Sequence, residues 1–162
     1  MTEGEMLIRR AWAEDEHGVF ALLEQFPSET AAFEWQKGAG AFHGIMENSA
    51  LGAVLVAEEE KRLLGVITLS YPFAIRCAGR YACIEEFIVD EAGRGKGVGG
   101  KLITAAIEEA RSRGCHEVQV NRPSEAGYPV YLRHGWKDLG RHLNLKLQES
   151  PAETDPGGSL TA

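Results

Sequence analysis

Arg94-Gly-Lys-Gly-Val-Gly-Gly-Lys-Leu102 is the stretch from which the rest of this chain is read. An apolar, β-type run precedes it at 82–89. A helix-type run follows at 102–113, with Leu102, Ile103, Ala106, Ile107 and Ala110 on one face. Strand, glycine loop and helix together make an anion cradle. Glycines let several backbone N–H groups turn toward one point, and the helix N-terminus adds unpaired donors and partial positive charge. Arg94 and Lys96 add full charges. The reading is a phosphate or pyrophosphate site.

Three loop patterns overlap here. Gly95-x-x-x-x-Gly100-Lys101 approaches the nucleoside-triphosphate loop, but that loop needs Ser or Thr after the lysine to hold magnesium, and Leu102 stands there. Gly95-x-Gly97-x-x-Gly100 matches the dinucleotide fingerprint, which wants an acidic residue about 20 positions on. The next strand, 116–121, instead runs into Asn121-Arg122-Pro123. Arg94-x-x-Gly97-x-Gly99 matches an acyl-CoA pyrophosphate loop and lacks no part. Packing alone explains the run poorly, because so many neighbouring glycines are costly in chain entropy. The acyl-CoA pattern leads, and the other two stay open.

At 162 residues the chain is long enough for one domain with a real core, and 44% hydrophobic with 25% charged residues places it among soluble globular chains. Seventeen basic against twenty-four acidic residues, net −7, argue against nucleic acid as the main partner and fit a cationic small substrate. No stretch resembles a signal peptide or a membrane span, so no membrane partner is expected. Cys77, Cys83 and Cys115 are odd in number and form no CxxC or zinc pattern. Reduced thiols, a cytoplasmic location and no metal are expected, and a catalytic thiol is not.

Working outward, 6–10 reads as a strand and 15–25 as a helix. Residues 33–47 read as a short helix, a break at Gly38-Ala-Gly40 and another helix. Residues 53–58 and 63–70 form an antiparallel hairpin across the charged turn Glu59-Glu60-Lys61-Arg62, and 72–79 is a loop. After the loop's helix come a strand at 117–121, a short helix opened by Pro129 and ended by Gly135, and strands at 136–139 and 143–148. This is an α/β order with a mixed sheet and one βαβ crossover. Residues 1–148 are read as a single domain. Residues 149–162, rich in Pro, Gly, Ser and Thr, have the composition of a disordered tail.

Two further places can carry chemistry. Glu85 and Glu86 stand in an apolar strand just before the loop, where either is a general base or an amine-binding acceptor, or else part of a solvated edge or salt bridge. Tyr131, on the short helix, can aim its hydroxyl into a cleft or pack as a core tyrosine. Phe33, Trp35, Phe42 and His43 can wall a substrate pocket, with core packing the commoner role for each.

Taken together, these pieces resemble the GNAT superfamily of acyl-CoA-dependent N-acetyltransferases over roughly 6–148. Residues 87–102 are similar to its fourth strand, pyrophosphate loop and third helix. Tyr131-Leu-Arg-His-Gly-Trp136 is similar to its late Tyr-x-x-x-Gly-aromatic segment, and Leu7-Ile-Arg-Arg-Ala with Asp15 to its first strand and turn. The resemblance implies a mixed, mostly antiparallel sheet of about six to seven strands flanked by about four helices, with a splayed parallel strand pair holding the cofactor. It further implies acetyl-CoA as cosubstrate, its pyrophosphate on Arg94, Gly95, Lys96, Gly97, Val98, Gly99 and Gly100, and its pantetheine arm along Phe87, Ile88 and Val89. A backbone N–H near Ile88 or Val89 becomes the oxyanion donor, Glu85 first and Glu86 second the base, and Tyr131 the acid. Where similar proteins often carry Asn and Ala, this chain has Ser124 and Gly127, with Ser124 or Asn121 as the cofactor contact. Glu91 and Gly93 replace a frequent Pro and a frequent aromatic or His. The implied reaction is acetyl transfer to a primary amine of a small-molecule acceptor, with no metal. The alternatives are a protein N-terminus or lysine as acceptor, or a catalytically silent acyl-CoA-binding module. The acceptor pocket is expected from 25–48 and 71–80, and a homodimer is common among similar proteins.

Overall fold

The computed structural model describes residues 4–26 and 34–147. The chain runs β1 (Leu7–Arg10), α1 (Glu16–Leu23), α2 (Ala39–Glu47), β2 (Gly52–Glu59), β3 (Arg62–Ser70), β4 (Phe73–Ala74), β5 (Gly79–Arg80), β6 (Ala82–Val89), α3 (Val98–Ser112), β7 (Val118–Val120) and α4 (Tyr128–Arg133). Glu60 and Lys61 close the β2–β3 hairpin as a two-residue turn with both φ positive, 49° and 65°, which suits the twist of the paired strands. β2 and β3 read as nearly continuous apolar runs because both their faces are covered.

The main sheet has the order β1-β2-β3-β6-β7. Its first three pairings are antiparallel and the β6–β7 pairing is parallel. α3 lays Leu102, Ile103, Ala106 and Ala110 on one face of the sheet, against Leu55, Ile67, Leu69 and Ile84, and Tyr131 of α4 joins the same cluster. α1 and α2 cover the other face, where Val19, Phe20, Leu22 and Phe42 meet Val54, Val56, Val66 and Ile88. This is the mixed, mostly antiparallel architecture expected, with five strands in the main sheet and β4–β5 as a separate ribbon.

Several boundaries differ from the sequence reading. α3 begins at Val98, four residues early, because Gly97 in the left-handed region serves as its N-cap and the glycines beyond it enter the helix. α2 runs through Gly40 because burial of Phe42 against the ring of Phe20, with centroids 6.0 Å apart, outweighs a glycine's helix cost. The expected loop at 72–79 contains β4 and a 3-10 turn, Ile75–Cys77. The strands expected at 136–139 and 143–148 are not formed among the described residues: 136–147 has no regular structure, since a strand needs a neighbouring strand and none of the described ones lies beside it, and Gln148 lies outside the described residues. Phe33 and the tail at 149–162 lie outside the described residues.

The opening motif builds a joint. The Arg9 guanidinium bonds both oxygens of Asp15 at 2.7 and 3.0 Å and Glu58 at 2.8 Å, while Asp15 also accepts the Trp12 N–H at 2.7 Å. The Arg9 hydrogen bond, foremost, holds the Asp15 carboxyl below the usual carboxylate range. A depressed carboxylate stabilises the fold above its unfolded pKa of about 3.9, and the stabilisation is lost as pH falls through the lower folded value. Asp15→Asn is expected to cost about 2 kcal/mol at pH 7. In urea titrations the gap to wild type should narrow toward pH 3. A gap that stays constant with pH would exclude the ion pair as its source.

Candidate active site

β6 and β7 pair over only three residues, Ala82 with Val118, Cys83 with Gln119 and Ile84 with Val120. β7 then ends while β6 continues to Val89, so the two strands part. At the parting point β6 carries a bulge. Leu69 pairs with Ile84 but Thr68 pairs with Glu86, which leaves Glu85 as the extra residue. The bulge cancels the usual alternation and brings both acids to the β3 positions that share a face, Thr68 and Ser70. Ser70 Oγ donates to Glu85 Oε1 at 2.6 Å, and Glu85 is exposed. The Thr68 hydroxyl donates to the Glu86 carboxylate and accepts the Glu86 backbone N–H at 3.0 Å.

The two carboxyls differ in environment. Burial, chiefly, and the charge of Glu85 raise the Glu86 pKa, while the Thr68 bond opposes the rise. Beside them Cys83 is buried and its thiol is pushed up to about 12, first by burial and then by Glu85. A thiol so held is protonated at neutral pH.

Beyond the bulge the ladder to β3 is regular. The Asp90 N–H bonds Leu64 O at 2.8 Å, so Ile88 and Glu86 turn their N–H groups toward β3. Phe87 and Val89, alternating with them, present theirs to the parted side. Val89 rather than Ile88 therefore has its N–H on the open side.

The loop follows at once. Asp90 accepts the Ala92 N–H at 2.8 Å and starts a 3-10 turn, Glu91–Gly93. Gly95 and Gly97 then take φ values of 77° and 76°, where a side chain is strained. A Cβ at Gly99 would stand 3.3 Å from the Phe87 ring, so here the glycine permits α3 to approach β6. The first amides of α3 have no intrahelical acceptor and point into this loop. A cleft of about 450 Å³ runs along it, lined by Phe87, Ile88 and Val89, by every residue from Arg94 to Gly100 except Lys96, and by Ser124 and Gly127 opposite. Left-handed glycines, a helix N-terminus and the cations Arg94 and Arg133, in a cleft otherwise lined mainly by apolar residues and glycines, suit a ligand with a pyrophosphate and a long, uncharged arm.

The acetyltransferase (GNAT) family model matches residues 9–136. The chain belongs to this GNAT family of acyl-CoA-dependent N-acetyltransferases. Glucosamine 6-phosphate N-acetyltransferase 1 of Oryza sativa subsp. japonica is 34% identical over 118 residues, which are 71% of this chain and 66% of that protein. Aminoalkylphosphonate N-acetyltransferase of Salmonella typhimurium is 28% identical over 133 residues, covering 80% of this chain and 84% of its own. The crystal structure of glucosamine-6-phosphate N-acetyltransferase from Arabidopsis thaliana superposes with a TM-score of 0.74 over 89% of this chain and 99% of its own; at 21% identity it shows the shared fold.

In this GNAT chain not every expected site residue lies at the cleft. The Lys96 ammonium pairs with Glu59 at 2.9 Å. Asn121 donates to Cys83 Sγ at 3.6 Å, on the acid-bearing side of the sheet. Ser124 lines the cleft, and its Oγ accepts the Gly127 N–H at 3.0 Å in the turn that leads into α4. Gly127 lets Tyr131 approach: a Cβ there would meet the tyrosine ring at 3.3 Å. Tyr131 is buried between Phe87 and Trp136, with ring centroids 5.6 and 5.4 Å away, and burial, foremost, raises its pKa. Phe42 is core, and His43 bonds Glu16 at 2.9 Å on the surface.

Two pairs of residues join those named from the sequence. Thr68 and Ser70 hold the acids; their signal in the sequence is a pair of hydroxyls at alternate positions in the apolar run of β3. Gln25 and Phe26, after α1, form one wall of the cleft, and Gln25 bonds Asp90 at 2.9 Å. Among the described residues no group of three or more His, Cys, Asp or Glu side chains is placed to hold a metal ion, and no helix is long and apolar enough to cross a membrane.

Proposed function

We propose that the protein transfers an acetyl group from acetyl-CoA to the primary amine of a small-molecule acceptor, by direct attack within a ternary complex. The observation that carries this reading is the parted β6–β7 pair, with the glycine loop at one end and the Glu85–Glu86 bulge at the other. Arg94 and the backbone from Gly95 to Gly100 bind the pyrophosphate. The amides and carbonyls of Phe87 and Val89 run beside the pantetheine arm, and the Val89 N–H is the donor for the oxygen that gains charge in the transition state.

An alkylammonium, with a pKa of roughly 10, must lose a proton before it attacks. Glu86 is the better base than Glu85, being half-buried, raised in pKa and fixed by Thr68. Tyr131 returns a proton to the departing thiolate; its raised pKa keeps the hydroxyl protonated until then. The rice and Salmonella relatives, named for acetylating small amines, support the acceptor class. The reading takes 1–148 as one catalytic domain and places the protein in the cytoplasm. Thiol release from acetyl-CoA across a panel of small amines tests it. Turnover with small amines is expected. Acetyl-CoA binding without turnover on any amine would leave a silent module.

Thr68 gives a finer test. Its hydrogen bond lowers the Glu86 pKa, so Thr68→Val should raise it further and move the acidic limb of the kcat/KM profile about one unit to higher pH. Thr68→Ser should restore the limb. An unmoved limb would separate Glu86 from the observed titration.

A further inference from the structure

The cleft is lined not only from β6, the glycine loop and α4 but also from the end of α1, through Gln25 and Phe26. Leu22 and Leu23 are buried against the sheet, and the backbone turns on past them. The Gln25 N–H bonds Leu22 O at 3.0 Å and the Phe26 N–H bonds Leu23 O at 2.9 Å. Asp90 then holds the Gln25 side chain. Gln25 Nε2 donates to one carboxylate oxygen at 2.9 Å, and the other oxygen accepts the Ala92 N–H at 2.8 Å and Arg62 at 3.2 Å. These bonds, that of Gln25 foremost, hold the Asp90 carboxyl below the usual carboxylate range. An ionised carboxylate only accepts, so the Gln25 amide must face it with its NH2 group and turn Oε1 away. Asp90 itself lines a neighbouring groove with Lys61, and Gln25 stands between that groove and the cleft. Phe26 is half-buried, with Trp35 edge-on behind it at a centroid distance of 6.3 Å.

We propose that Gln25 and Phe26 bind the arm of acetyl-CoA where it leaves the pyrophosphate. Gln25 Oε1 accepts from the arm's hydroxyl or its first amide N–H, and Phe26 packs against the arm's paired methyl groups. The inference rests on the acetyl-CoA reading of the cleft. Charge decides which part of the ligand lies here. Gln25 and Phe26 are neutral and have the Asp90 carboxylate behind them, which repels phosphate, whereas Arg94, Arg133 and the amides of the glycine loop attract it. Chemistry decides which groups meet. Beyond the pyrophosphate the arm carries two methyl groups on one carbon, then a hydroxyl, then an amide. An aromatic face and a fixed carbonyl acceptor match those groups in kind. The backbone of β6 can pair with the amides, but it offers no surface for the methyl groups.

Calorimetric titration of the full chain with acetyl-CoA, and with 3′-phosphoadenosine 5′-diphosphate, which is CoA without its arm, tests the proposal. Gln25→Leu is expected to raise the Kd of acetyl-CoA about five- to tenfold and Phe26→Ala about tenfold or more, each leaving the armless ligand within about twofold. Gln25 is exposed, so its variant carries the test alone if Phe26→Ala fails to fold. Equal losses for the two ligands would put the effect at the glycine loop, through Asp90, and overturn the proposal. A Gln25→Leu variant that binds acetyl-CoA as the wild type does overturns it too, and leaves the acetyl-CoA reading standing. A wild type that binds no acetyl-CoA overturns that reading and this inference together.

Discussion

Replacing Glu86 by Gln is expected to lower kcat roughly a hundred- to ten-thousandfold and to leave acetyl-CoA affinity within about twofold. The size follows from general base catalysis, and the selectivity from position. Glu86 sits at the bulge, beyond the stretch of β6 that lines the cleft, so its amide form removes the proton acceptor without touching the cofactor wall. Glu85→Gln is expected to cost less than about tenfold, because that carboxyl is exposed and held at Ser70. Single-turnover acetylation, with separate equilibrium titration of acetyl-CoA, reads both. If the Glu85 variant loses turnover and the Glu86 variant keeps it, the roles are reversed. If both keep it, a water or the acceptor's own chemistry takes the proton.

Gly97→Val is expected to weaken acetyl-CoA binding by about a hundredfold or more. Gly97 has φ 76°, and a Cβ there meets no atom within 4 Å. The new side chain clashes with nothing in the fold, so it stands in the cradle where the phosphates would lie. The left-handed conformation adds about 1–2 kcal/mol of strain, worse for a branched residue, which pushes the loop out of its binding form. Gly99→Leu is a poorer probe, since its Cβ would press on Phe87 and confuse binding with folding. Calorimetry on Gly97→Val, beside a melting curve showing a shift of only a few degrees, separates the two effects. Unchanged affinity in a folded variant would remove the loop from the cofactor site.

What the sequence made legible, and what it hid, follows from the range of each interaction. The loop was legible because its constraint is local: a left-handed φ at Gly95 and Gly97 admits few residues besides glycine, so the need is written as residue type. The β2–β3 hairpin was legible from its two apolar runs across a short charged turn, although Glu60 and Lys61 at positive φ are not the residues such a turn favours. The bulge at Glu85 was not, because it exists only in the register between β3 and β6, and neither strand shows the mismatch alone. Alternation within one strand put Glu85 and Glu86 on opposite faces, whereas the bulge takes both to the side of Thr68 and Ser70. Lys96 was placed at the phosphates on charge and proximity, and its distant partner Glu59 could not be seen from the loop. The strand expected at 143–148 is not formed at 143–147, since a strand-like run does not say where its neighbour is.

The most direct test of the account is calorimetric titration of the protein with acetyl-CoA and, separately, with NAD and ATP, the ligands of the three overlapping loop patterns. Saturable binding of acetyl-CoA alone, lost in Gly97→Val, is the predicted result. Binding of NAD or ATP with none of acetyl-CoA would contradict it.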